Sequence, residues 1–278
     1  MRIAGTPGLQ RSSASGNKLT LVQVPLCRTD EAPAGIAAEL DRNGVVCLDD
    51  VISADWLASA RTAATSLITA HNGRHVTVYS AAEQGFEPAR QLVTDERLRR
   101  LFAELMVMGC PEGGTDGERI HTVLRINSGA APHDDPMWFH YDASAITLVI
   151  PVLMPEGARG ESGELVVFPN RRPFRRFVGA NIAEKFLTQN SWYRRRIESQ
   201  LALDPDAHIL ALKPGNAYLF WGYRTYHAYA RIPRSEVRAT LCLHYGRPHG
   251  RHPALGAAVL ARDLLRKAFL TFNFPCYR

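Results

Sequence analysis

His140 and Asp142 stand two residues apart in Phe139-His140-Tyr141-Asp142-Ala143-Ser144, just ahead of the apolar run Ala145-Ile146-Thr147-Leu148-Val149. Read as a strand, this spacing puts the imidazole and the carboxylate on one side and Tyr141 on the other. Together they supply two of the three ligands of a facial metal triad, which leaves three positions open on an octahedral ion. A third ligand has to come from elsewhere, and the segment Tyr218–Tyr245 offers one. Within it His227 follows Trp221 by six residues, and Arg238 follows His227 by eleven, with Thr240 two further on. In a strand over 236–245, Arg238, Thr240, Cys242 and His244 share one face, and Val237, Ala239, Leu241, Leu243 and Tyr245 the other. An Arg with small polar neighbours on its own face marks a narrow anion pocket. A guanidinium takes a carboxylate through two parallel hydrogen bonds, and a nearby hydroxyl adds a third.

These residues need a β scaffold to meet. From 120 to 245 the dominant period is two, with turns between short segments, which predicts strands over 120–127, 138–142, 145–153, 163–168, 207–212, 216–221, 226–231 and 236–245. Eight strands in two facing sheets make a jelly roll. In the first of them His121, Val123, Arg125 and Asn127 share a face opposite Ile120, Thr122, Leu124 and Ile126. Ahead of the core, 19–25 predicts a strand, 32–41 a short helix, and 44–50 a strand. A helix from the N-cap Ser53 to about Thr69 has an apolar face of Trp56, Leu57, Ala60, Ala64, Leu67 and Ile68. Residues 72–88 read as polar and irregular, 95–108 as a helix, and 111–118 as a Gly-rich loop. A C-terminal helix is expected over 254–269.

The expected organisation is a mobile tail over 1–18 and a single domain over 19–278. That domain divides into a helical buttress (19–118), a core (119–246) and a C-terminal helix (247–278). The core is interrupted by a basic insertion over 171–201, carrying Arg171, Arg172, Arg175, Arg176, Lys185, Arg194, Arg195 and Arg196. It reads either as a solvated helix over a sheet edge or as a lid that attracts an acidic substrate.

Composition narrows the classes. The chain has 278 residues and a net charge of +6, nearly all of the positive charge from Arg. That allows an anionic substrate, but the basic residues cluster in one insertion rather than along an aromatic face, so no nucleic-acid partner is expected. The longest apolar run, 145–154, is about half of what a bilayer needs, and 1–17 lacks the apolar stretch of a signal peptide. The five cysteines lack close spacing, which fits a reducing, cytoplasmic setting rather than a disulfide framework.

His140-x-Asp142 with Thr147-Leu148, the distant His227, and Arg238-x-Thr240 together resemble the Fe(II)/2-oxoglutarate-dependent dioxygenases. The spacings are similar to those of the phytanoyl-CoA hydroxylase-like and isopenicillin-synthase-like branches. The segment RNGVVCLDDVISADWLASAR, residues 42–61, resembles the entry segment of the first branch. The resemblance covers 120–246 and implies an α+β fold: a double-stranded β-helix (jelly-roll, cupin-like) core with flanking N- and C-terminal helices. It implies that His140, Asp142 and His227 ligate Fe(II), and that Arg238 with Thr240 holds the distal carboxylate of 2-oxoglutarate. Arg125 and Thr147 join the cofactor-binding set. The reaction implied is O2-dependent oxidation of an unactivated C–H of a small molecule, with release of succinate and CO2, in secondary metabolism. The related halogenases lack the carboxylate ligand; Asp142 is present, which points to hydroxylation, desaturation or cyclisation. The small-molecule substrate is expected to be anionic or amino-acid-like.

Several residues compete for these roles. His133-Asp134-Asp135 is a second His-x-Asp, in a loop with no apolar strand directly after it. His133 and Asp135 read as lining the mouth of the site, Trp138 as a substrate wall, and Arg231 as a substrate contact on the face of His227. Arg231 and Arg234 rival Arg238 as carboxylate binders, and His121 shares the strand face of Arg125. His244 reads as a satisfied core histidine. The alternative for the whole chain is a non-catalytic or isomerase-type cupin-like binding protein. A cupin site draws on more His and a Glu, and Glu164 is the one carboxylate placed by strand position to supply it.

Overall fold

The computed structural model describes residues 26–27, 32–111, 119–129, 137–173, 196–197, 201, 204 and 206–248. The expected tail, the strand over 19–25, the C-terminal helix, His133, Asp135 and most of the basic insertion lie outside these residues.

The elements in chain order are β1 (Leu26–Cys27), α1 (Pro33–Asn43), β2 (Val45–Leu48), α2 (Ala54–Ala70), β3 (Val76–Tyr79), α3 (Glu87–Thr94) and α4 (Glu96–Gly109). The core strands are β4 (His121–Ser128), β5 (Ile146–Leu153), β6 (Leu165–Phe168), β7 (His208–Leu210), β8 (Ala217–Phe220), β9 (Tyr226–Tyr229) and β10 (Val237–Tyr245). They form a large sheet in the order β1-β2-β8-β5-β10-β4-β3 and a small sheet β7-β6-β9. This is the expected double-stranded β-helix buttressed by helices.

Local chemistry sets the helix ends. Ser53 accepts a hydrogen bond from Trp56 N at the start of α2, and Asp95 from Arg97 N and Leu98 N at the start of α4. Gly44 closes α1 in the left-handed region at φ 74°, its N–H bonded to Leu40 O.

The strand alternation divides the large sheet into two faces. Leu124, Ile126, Leu148, Ile150, Leu219, Leu241 and Leu243 pack against Ile36, Leu40, Ala60, Ala64, Phe102 and Leu105 of the helices. Each fully buried aliphatic side chain contributes roughly 1.5–3 kcal/mol there. The opposite face sends Val149, Tyr218, Phe220 and Cys242 against Leu165 and Val167 of β6 and Leu210 of β7. Of the candidate site residues, Arg125, Thr147, Arg238 and Thr240 lie on that second face, and His227 on β9 of the small sheet.

Three expectations need correction. The strand expected over 138–142 is a single bridge, His140 to His227. Met137 sits at φ 68°, Phe139 N bonds back to Met137 O, and Asp142 N turns to Gly222 O, so the chain leaves the sheet after one pair. Residues 72–88 are not irregular throughout: β3 pairs antiparallel with β4, Val76 opposite Ile126 and Tyr79 opposite Val123. A short helix, α3 (Glu87–Thr94), precedes the one expected over 95–108. α3 starts with Pro88 in its first turn, where a missing N–H costs nothing.

Candidate metal centre

His140 and His227 meet through their backbones. His140 N donates to His227 O at 2.9 Å, and His227 N donates to His140 O at 3.0 Å. Residues that exchange both bonds across an antiparallel pair project to the same side, and the two rings lie 4.4 Å apart, centre to centre. Asp142 is brought under them by its own N–H, which donates to Gly222 O at 3.0 Å.

The Nδ1 atoms of both imidazoles face backbone carbonyls, Trp138 O at 2.9 Å for His140 and Thr225 O at 3.1 Å for His227. A carbonyl only accepts, so each Nδ1 carries the proton and each Nε2 presents a lone pair. Both Nε2 atoms point at Asp142: His140 Nε2 is 3.6 Å from Oδ1, and His227 Nε2 is 3.6 Å from Oδ2. One ligand atom from each of the three residues lies within 4.8 Å of the others. An imidazole oriented by a carbonyl at its far nitrogen is the arrangement that prepares it to coordinate a metal.

The electrostatics agree with three deprotonated donors. Enclosure in the pocket pushes His140 down to about 4, with the neighbouring His227 and Arg125 acting in the same direction. His227 and His244 are lowered by burial too. Burial alone would raise Asp142, but the facing imidazoles His227, His244 and His140 and the Thr147 hydroxyl outweigh it and hold its carboxyl below the usual range.

Thr147 Oγ1 donates to Asp142 Oδ2 at 2.6 Å. His244 Nδ1 lies 3.2 Å from both Thr147 Oγ1 and Ser144 Oγ, and 3.7 Å from Asp142 Oδ2. His244 is therefore beside the trio, not a histidine of the apolar core. The signal for this is register: β10 pairs with β5 so that His244 faces Thr147, and no single-strand pattern carries that pairing.

Arg238 is 3% exposed on β10. Its Nε donates to Gly163 O at 2.8 Å, its Nη1 donates to Thr240 Oγ1 at 3.1 Å, and its guanidinium sits 5.1 Å from the Tyr229 ring centre. Gly163, at φ 67°, makes this possible, because a Cβ there would come 2.6 Å from Arg238 Cδ. The rivals Arg231 and Arg234 are exposed and lie beyond the end of β9. Arg125 on β4 is directly opposite Thr240, so it faces the same space. Its charge acts on His140, His227, His244 and Cys242. Trp138 is 46% exposed at the rim. Glu164, the carboxylate a cupin site would need, is buried and accepts from the Gly160 and Ser162 N–H groups instead.

No family model matches the chain, and no curated protein matches it. Solved structures do. EctD from S. alaskensis with 2-oxoglutarate and 5-hydroxyectoine is 20% identical with a TM-score of 0.51, the match covering 87% of this chain and 86% of that one. EctD from the same organism with bound Fe is 19% identical with a TM-score of 0.51, covering 79% of each chain. The chain has the fold of the Fe(II)/2-oxoglutarate-dependent oxygenases. A prolyl 4-hydroxylase from Phytophthora capsici is 15% identical with a TM-score of 0.47, and there the match spans 77% of this chain and 61% of the other. On this oxygenase fold the expected trio, Arg238, Thr240, Arg125 and Thr147 converge between the sheets. Arg231 stands outside on the surface, and His244 and Ser144 are the additions.

Proposed function

We propose that the chain is an Fe(II)/2-oxoglutarate-dependent oxygenase that oxidises an unactivated C–H of a small molecule. One observation carries this reading: two imidazoles with Nδ1 bonded to carbonyls turn both Nε2 lone pairs toward one carboxylate. Two nitrogens and one oxygen with open positions suit non-haem Fe(II). His140, Asp142 and His227 hold the metal. Iron, with 2-oxoglutarate and O2, supplies the oxidation of the substrate C–H, giving succinate and CO2.

The chain's own residues bind and orient. Arg238 takes the distal carboxylate of the keto acid, its guanidinium plane fixed by Gly163 O and Thr240. Thr147 acts through Asp142, fixing which carboxylate oxygen is left for the metal. Arg125 is the second cation of the cavity. It stands opposite Thr240 across the β4–β10 ladder, and it adds a site for a carboxylate beside the keto acid. An acidic or amino-acid-like substrate is the class that suits two cations in one cavity. Asp142 leaves no vacancy for a halide, which favours hydroxylation or a related oxidation. Trp138 forms the outer wall. Among the described residues no helix is long and apolar enough to cross a membrane, and the cytoplasm is the compartment we assign.

The cupin-type alternative loses its carboxylate, since Glu164 is committed to loop N–H groups. The test is O2-dependent conversion of 2-oxoglutarate to succinate by the iron-loaded protein, which we expect Asp142→Ala to abolish. Arg238→Ala is expected to raise the 2-oxoglutarate requirement steeply, at a cost of about 2–5 kcal/mol in binding. An unchanged requirement moves the keto-acid role to Arg125.

A further inference from the structure

Two backbone segments must keep their places for the metal trio to exist: 140–142, and the turn 221–225 whose Gly222 carbonyl holds Asp142 N. Arg172 touches both. Its Nε donates to Tyr223 O at 2.6 Å, and its backbone N–H donates to Arg224 O at 3.3 Å. Its guanidinium lies 3.9 Å from the ring centre of Tyr141 and 4.0 Å from that of Tyr223. Tyr141 is the residue between the two ligands His140 and Asp142. Arg172 is 5% exposed, so this is a sandwiched, buried cation rather than a surface charge.

A planar, weakly hydrated guanidinium stacks on aromatic faces while donating in its plane, which a lysine ammonium does not reproduce. Tyr141 is further packed on Tyr226, 4.8 Å between ring centres, so the clamp reaches the strand of His227. Arg172 also stands at the start of the basic stretch 171–201, in which charge alone pointed outward to solvent or substrate.

We propose that Arg172 is a positioning residue of the metal centre, clamping Tyr141 to the Tyr223 turn and so fixing His140 and Asp142 relative to each other. The inference rests on the metal-centre reading above. Residues that orient a ligand without touching the ion cost roughly 10- to 100-fold in metal affinity when removed.

The experiment measures anaerobic Fe(II) affinity and the visible absorption of the Fe(II)–2-oxoglutarate complex, with far-UV circular dichroism to score folding. Arg172→Met and Tyr141→Leu are expected to weaken Fe(II) binding roughly tenfold or more and to shift the absorption band. Tyr141→Phe keeps the ring and restores the affinity lost in Tyr141→Leu. Arg171→Met is the control: Arg171 lies 4.7 Å from the Phe168 ring, away from the clamp, and its loss leaves iron binding unchanged. Should Arg172→Met fail to fold, Tyr141→Leu carries the test. Folded Arg172→Met or Tyr141→Leu protein that binds iron as tightly as the parent, with the band unmoved, overturns the clamp. A parent protein that binds no iron overturns the metal-centre reading itself, so the two failures are distinct.

Discussion

Asp142 is the residue on which the site converges. It is faced by two imidazoles as prospective co-ligands, and Thr147 donates to its Oδ2. Thr147→Val keeps the shape and removes the donor. We expect Fe(II) affinity to fall roughly 10- to 100-fold, with Thr147→Ser close to the parent, read by anaerobic titration; equal affinity in the Val variant would contradict the role. The histidines carry a pH signature in the metal-free protein. His140 titrates near 4 in the folded chain against an ordinary 6.5, so between those values the unfolded chain binds a proton that the folded chain does not. Stability therefore falls as pH drops from about 6.5 toward 4. His227 and His244 are shifted in the same direction and add to the slope. Asp142, lowered from 3.8, keeps its stabilising effect throughout that window and loses it only at more acid pH. Denaturant titrations across the window check this, and His140→Asn is expected to flatten the slope. That His140 and Asp142 stand side by side, and that Arg238 and Thr240 share a buried face, was legible from residue type and spacing. His244 was not, because its meeting with Ser144 and Thr147 depends on which strand lies beside β10.

At the scale of elements, β10 is the organiser. It lies between β5 and β4, and it carries Arg238, Thr240, Cys242 and His244 on the face turned to the small sheet. Its long alternation made it readable, as did the matching alternation of β4. The segment 138–142 was harder. Its residue types suit a strand, but Met137 at φ 68° and the Asp142 N–H to Gly222 O bond turn it out of the ladder, and neither is encoded as a period. β3 was hidden because four residues inside a polar stretch give almost no periodic signal, although Val76-Thr77-Val78-Tyr79 has β-branched and aromatic composition. The turn after β8 carries a sharper constraint. A Cβ on Gly222 would collide with Thr147 Oγ1 and lie 3.0 Å from Asp142 Oδ2. Gly222→Ala is expected to cost about 1–3 kcal/mol of stability and to abolish tight Fe(II) binding, measured by denaturation and metal titration together. Iron affinity equal to the parent's would show that this turn yields freely.

At the scale of the molecule, the helices cover one face of the large sheet and leave the other to the site and the small sheet. The rigid wall thus stands behind β4, β5 and β10, where Arg125, Thr147 and Arg238 are mounted. The space between the sheets holds the guanidiniums of Arg125 and Arg238 with two imidazoles and one carboxylate, a charge pattern that on the proposed function takes a diacid and a cation. A cation held by the trio would link the two sheets, because His227 belongs to the small sheet while Asp142 is held by Thr147 of the large one. Metal binding to the folded state alone stabilises it, by about 2.7 kcal/mol at a free concentration 100 times the dissociation constant. The most direct test is anaerobic addition of Fe(II) and then 2-oxoglutarate to the metal-free protein, followed by visible absorption. The account predicts one iron per chain and a weak charge-transfer band that appears with the keto acid and is absent in Asp142→Ala. Folded protein that takes up no iron, or that gives the same band without Asp142, would contradict it.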